Sequence, residues 1–156
     1  MELQEAVIVS GARTPVGRFG GAFKDVPAPD LGATAIKAAL ERAGITADMV
    51  DEVVLGNALQ ATEAGYAARL ASLRAGVPEE VPTIAINRQC SSGLEAINMA
   101  AQLVRTGEVD AARDAGEQAR MVGGDHGDQR RAPLLVELGV DRQLVAGIAR
   151  GVVLHQ

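Results

Sequence analysis

The run Asn87-Arg88-Gln89-Cys90-Ser91-Ser92-Gly93-Leu94-Glu95-Ala96 holds the residues best suited to chemistry. Cys90 is the single cysteine of the chain. It cannot form an internal disulfide, and a free thiol is suited to nucleophilic attack. The segment Pro82-Thr83-Ile84-Ala85-Ile86, read as a buried strand, comes before it, and a helical pattern follows. Ser92-Gly93-Leu94-Glu95 fits a capping box, with Ser92 as N-cap and Glu95 at the third helical position. Cys90 would then sit beside the positive end of a helix dipole, where amide N–H groups favour a thiolate. A sharp strand-to-helix junction is also a rigid mount for a nucleophile. Gly93 leaves room for a ligand atom or a second backbone to come close. The competing reading is that a lone cysteine in an alanine-rich chain is a small buried hydrophobe. Residue chemistry alone leaves both open.

The elements that must position this run alternate in pattern. Ala6-Val7-Ile8-Val9 reads as a buried strand and runs into a loop from Ser10 to Pro29. Gly17, Gly20 and Gly21 in that loop match neither GxGxxG nor GxxxxGK[ST], so a nucleotide site is rejected. Asp30 is placed to cap a first helix carrying Leu31, Ala35, Ala38 and Ala39, which Gly44 ends. Val53-Val54-Leu55-Gly56 returns to strand pattern, and a second helix is expected over Tyr66 to Ala75. After the strand at 82–86 comes a third helix, with Leu94, Ile97, Ala101 and Val104 as its apolar stripe and Gly107 as its stop. Strands alternating with helices of this length predict the α/β class, a mostly parallel sheet covered by helices.

Composition narrows the function further. Of 156 residues, 47% are hydrophobic and 2% aromatic, and no ring occurs after Tyr66. The net charge of −5 gives no electrostatic footprint for nucleic acid or an anionic membrane, and the sparse rings offer no stacking platform. No apolar run is long enough to span a bilayer, and Met1-Glu2-Leu3-Gln4-Glu5 lacks the basic-then-apolar pattern of a signal peptide. With one cysteine, the expected compartment is the cytoplasm.

The Cys90 run closely resembles the nucleophile motif of the thiolases, the acyl-CoA C-acyltransferases. Two further segments are similar to that family in order: Val9-Ser10-Gly11-Ala12-Arg13-Thr14-Pro15-Val16-Gly17-Arg18-Phe19-Gly20-Gly21 and Val53-Val54-Leu55-Gly56-Asn57-Ala58-Leu59-Gln60-Ala61. Ala68-Arg69 then leads the next helix as in the family. Ketoacyl synthases also place a cysteine at a strand-to-helix turn, but usually within Thr-Ala-Cys-Ser, so this run falls on the thiolase side. The resemblance implies the N-terminal half of a thiolase fold, incomplete here. Cys90 would attack an acyl-CoA thioester and become acylated, and an enolate or free CoA would then take the acyl group. It implies acyl-CoA or acetyl-CoA as substrates, no metal or redox cofactor, a place in fatty acid metabolism, and homo-oligomers through a thiolase-like dimer surface.

The same resemblance implies parts that this sequence does not contain. Thiolases resemble two such α/β halves. The second bears a Gly-His-Pro histidine, a cysteine in Cys-Gly-Gly-Gly and an asparagine in Asn-Glu-Ala-Phe, and none of these strings occurs here. Of the two histidines, His126 lies in Gly124-Asp125-His126-Gly127-Asp128, where two aspartates suggest a metal site but no second ligand cluster exists, so it reads as a solvated turn, and His155 is penultimate. Recognisable segments cover about residues 5–110, giving a thiolase-like domain over 1–110 and a diverged tail over 111–156. In that tail charges interrupt the expected small-residue strand, and only Leu134-Leu135-Val136 and Leu144 to Leu154 could bury anything. A frameshift near codon 111 would account for the change of texture. Translation of the other two frames tests it, by restoring or failing to restore a Gly-Gly-x-Glu-Ser-Met turn. The expectation is therefore a thiolase-type acyltransferase that is inactive alone, and the alternative is a non-catalytic fragment or interaction module.

Overall fold

The computed structural model describes residues 6–59 and 66–109, together with the backbone of four short strands between 134 and 154. In chain order the elements are β1 (Val7–Ser10), α1 (Ala28–Ala43), β2 (Val53–Gly56), α2 (Ala67–Ala75), β3 (Thr83–Ile86) and α3 (Ser92–Thr106). They continue with β4 (Leu134–Glu137), β5 (Gly139–Val140), β6 (Val145–Ala146) and β7 (Val152–Leu154). Leu134-Leu135-Val136 falls within β4, and β6 and β7 lie within the second apolar segment of the tail. His126, His155 and the charged stretch 110–133 lie outside the described residues.

The main sheet has the order β1-β7-β4-β2-β3, and β5 and β6 form a separate two-stranded sheet. β2 pairs in parallel with β3 and with β4, whereas β7 is antiparallel to both β4 and β1. β1, β4, β2 and β3 therefore share one direction and β7 alone opposes it, as the mostly parallel expectation requires. β2 explains why three layers form. Its Val53 and Leu55 point to one face and Val54 to the other, and all three are fully buried. On the first face they meet Leu31, Ala35, Ile36, Ala39 and Leu40 of α1, with Ala68, Ala71 and Ala75 of α2. On the second face Val54 meets Ala96 and Ala100 of α3, flanked by Ile84, Ile86 and Leu103.

Three local expectations are corrected. Asp30 does not cap α1: Pro27 is the N-cap and the helix begins at Ala28. Pro29, preset in φ and lacking an N–H, fits a first turn whose donors have no intrahelical partner. Asp30 instead pairs with Arg74 of α2 at 2.8 Å, tying the two helices together. β1 is not a buried strand, since Ile8 is 62% and Val9 41% exposed. It forms a sheet edge with a partner on one side only, and it is fastened to α1 through Ser10 Oγ, which donates to Ala39 O at 2.7 Å. The buried face of α3 matches the stripe of Leu94, Ile97, Ala101 and Val104 only in part: Val104 is buried and Ile97 packs against the core, but Leu94 points away. Ser92, Gly93, Ala96, Ala100 and Val104 are buried while Leu94 is 60% exposed. Small residues won that face because β2 lies close enough to exclude larger ones.

Candidate active site

Cys90 lies in the turn between β3 and α3, and it is exposed. This decides against the buried-hydrophobe reading. β3 is the edge strand beside β2, and its residues are half-buried except for exposed Ala85, so it is not the buried strand expected. β2 and β3 run in register, Gly56 opposite Ile86, and the Asn57 N–H donates to Ile86 O at 2.8 Å. Asn57 and the Cys90 turn therefore leave the sheet together at the carboxyl ends of two parallel strands, where open α/β sheets bind ligands.

Only a tight passage separates the strand from the helix. Gln89 has φ 50°, the single described non-glycine residue in the left-handed region. Such a conformation costs about 1–2 kcal/mol for an L-residue, so the neighbours must hold it. Two side chains are placed to do so. Asn87 Oδ1 accepts the Gln89 N–H at 3.0 Å, bridging two residues in the manner of an Asx turn. Ser92 Oγ accepts the Arg88 N–H at 2.9 Å and donates to Gln89 O at 2.7 Å.

The expected capping box does not form. Ser91 is the N-cap of α3, and its carbonyl rather than its side chain accepts the Glu95 N–H at 2.9 Å. Ser92 is the first helical residue, and its hydroxyl is directed back into the turn. Glu95 is ion-paired with Arg88, which bridges the turn on its exposed side. The capping box failed because a local pattern cannot reveal that Arg88 and Gln89 compete for the same two side chains. Cys90 still lies two residues ahead of the start of α3.

Gly56 completes the mount. A Cβ on it would lie 2.6 Å from Gly93 N and 2.6 Å from Ser92 C, with Ser92 O at 2.7 Å. Strand end and helix start therefore meet backbone to backbone at the Ser92–Gly93 peptide. Arg69 of α2 steadies the other approach. Its guanidinium donates to Val81 O at 2.8 Å and to Glu79 O, fixing the loop that leads into β3. Gly56, Asn87, Gln89 and Arg69 stand in the recognised segments, but nothing local in the sequence showed these duties. Among the described residues no three His, Cys, Asp or Glu side chains gather where a metal ion could sit, and no helix is long and apolar enough to cross a membrane.

Residues 6–125 match the family model described as the thiolase N-terminal domain. An acetyl-CoA acetyltransferase of Cupriavidus necator is 45% identical over 116 residues, which is 74% of this chain and 30% of that protein. A probable acetyl-CoA acyltransferase of Staphylococcus aureus is 46% identical over 108 residues, covering 69% of this chain and 28% of its own length. Among solved structures, the acetyl-CoA acetyltransferase of Bacillus anthracis superposes with a TM-score of 0.67 at 39% identity, covering 70% of this chain and 28% of that one. The chain thus spans less than a third of the length of these three relatives.

Proposed function

The chain belongs to the thiolase family, and from that premise we propose that Cys90 is an acyl-accepting nucleophile for acyl-CoA thioesters, acetyl-CoA among them. The observation that carries this reading is the exposed Cys90 thiol on a braced turn between β3 and the start of α3. The Cys90 thiolate attacks the thioester carbonyl, the carbon–sulfur bond to CoA breaks, and the CoA thiolate leaves as the acyl-cysteine forms. One thioester replaces another, so the step needs no electron acceptor and no metal. CoA is a substrate here rather than a resident cofactor. In a second step an enolate or free CoA would take up the acyl group.

Full turnover calls for a histidine that activates the nucleophile and for further oxyanion donors, and the family's strings for these do not occur in this sequence. The purified chain is therefore proposed to stop at acylation and to show no turnover alone. A lone exposed thiol of this kind keeps its chemistry in a reducing compartment, which favours the cytoplasm. Intact-mass measurement after incubation with acetyl-CoA tests the reading. An acetyl adduct on the chain, absent from Cys90→Ala, supports it. An unmodified chain sinks it and leaves the alternative, a non-catalytic piece that pairs with another chain through its thiolase-like surface. Steady thiolysis abolished by Cys90→Ala would overturn the prediction of no turnover.

A further inference from the structure

We propose that Ser92 is the positioning residue of the Cys90 turn, its hydroxyl holding Gln89 in the left-handed conformation that presents the thiol. The inference rests on Cys90 as nucleophile for its functional meaning, but its structural half stands alone. Ser92 is 3% exposed, so its hydroxyl must find partners within the protein. It takes both from the two residues ahead of Cys90: the Arg88 N–H at 2.9 Å and the Gln89 carbonyl at 2.7 Å. Those bonds hold the 87–88 peptide unit by its N–H and the 89–90 unit by its carbonyl, and so clamp the two ends of the Arg88-Gln89 pair, within which Gln89 takes its positive φ. Ser92 itself cannot drift, because its own carbonyl carbon and oxygen lie against Gly56 of β2. The sheet is thereby linked to the turn by a rigid path from Gly56 through Ser92 to Gln89 and Cys90. A helix cap bonds forward into its own first turn, whereas this hydroxyl bonds backward, which serves the turn and not the helix.

The test uses the whole chain, isotope-labelled, with Ser92→Ala, Ser92→Thr and the double variant Gln89→Gly/Ser92→Ala. Backbone carbon shifts at residue 89 report the left-handed conformation, and mass spectrometry reports the rate of Cys90 acetylation by acetyl-CoA. Ser92→Ala is expected to lose the left-handed shifts and to acetylate about tenfold more slowly, the scale set by losing the hydroxyl's hydrogen bonds. Ser92→Thr restores the hydroxyl and is expected to regain both. The double variant should regain the rate, because glycine takes positive φ without help. Because Gln89→Gly also adds stability, the rates are compared only between variants whose α3 shifts match the parent's, which separates the turn from a general loss of stability. Left-handed Gln89 persisting in folded Ser92→Ala, or a double variant no faster than Ser92→Ala, overturns the proposal. Should Ser92→Ala fail to keep its α3 shifts, Asn87→Ala at an exposed position loosens the same turn. Left-handed shifts unchanged in Ser92→Thr but reduced in Asn87→Ala would then support a hydroxyl-held turn, and shifts lost in Ser92→Thr would overturn it. If the parent chain gains no acetyl mass, the nucleophile reading fails, and the shifts at residue 89 still decide the role of Ser92.

Discussion

Gln89 carries a conformational cost that its neighbours offset, and this can be measured directly. Gln89→Gly is expected to raise stability by about 0.5–1 kcal/mol in urea unfolding, because relief of the left-handed strain outweighs glycine's added freedom in the unfolded chain. A second residue works against the fold. Glu52, just ahead of β2, has its carboxyl pushed above the ordinary range, first by burial and then by the negative charge of Glu108. Its folded-state pKa exceeds the unfolded one, so the folded form holds the proton more tightly and stability falls as pH rises through that range. Glu52→Gln should therefore melt at a higher temperature than the parent at pH 7. The gap should close as pH falls toward about 3, below the unfolded-state value, where the carboxyl is protonated in both states. An equal gap at both pH values would assign the effect to packing. The sequence made Cys90 conspicuous because type and flanking pattern are local properties. It gave no sign of the conformation of Gln89, which depends on where Ser92 and Asn87 point.

At the level of elements, β2 was the most legible piece. Three consecutive apolar β-branched or aliphatic residues bounded by turn signals are what a strand buried on both faces requires, and Val53, Val54 and Leu55 are all at 0% exposure. Gly44 and Gly107 were equally legible as stops, and each ends its helix at φ 69°. The buried face of α3 was not, because its stripe was chosen by side-chain size, whereas contact with β2 selects for smallness. Gly56 shows this most sharply. Gly56→Ala is expected to cost about 2–3 kcal/mol in urea unfolding, since the added Cβ meets backbone that cannot rotate away. It should also slow Cys90 acetylation, because α3 carries the turn with it. Arg69→Lys tests the other approach. A single ammonium cannot serve both Val81 O and Glu79 O in the same planar fork, and a loss of about 1 kcal/mol is expected.

Across the whole molecule, large apolar side chains remain on the surface. Phe19 is 78%, Tyr66 73% and Leu94 60% exposed, and β1 and β3 form the two edges of the main sheet. Exposed edges and apolar side chains favour association. Sedimentation should accordingly show an average mass that rises with concentration, and a constant monomer mass would contradict this. By itself the sequence determined the α/β class, the placement of a lone cysteine between a strand and a helix, and the family. The first two follow from residue type and short-range periodicity, which any stretch of chain carries within itself, and the third from the resemblance of the Cys90 run and two further segments to the family's motifs. Only the tertiary structure decided how that cysteine is held. Gly56 lies 37 positions before Gly93 in the chain, yet their backbones touch because β2 and α3 pack in adjacent layers. Contacts of that range come from packing, and packing also turned the Ser92 hydroxyl back toward Gln89 and left Cys90 open to solvent.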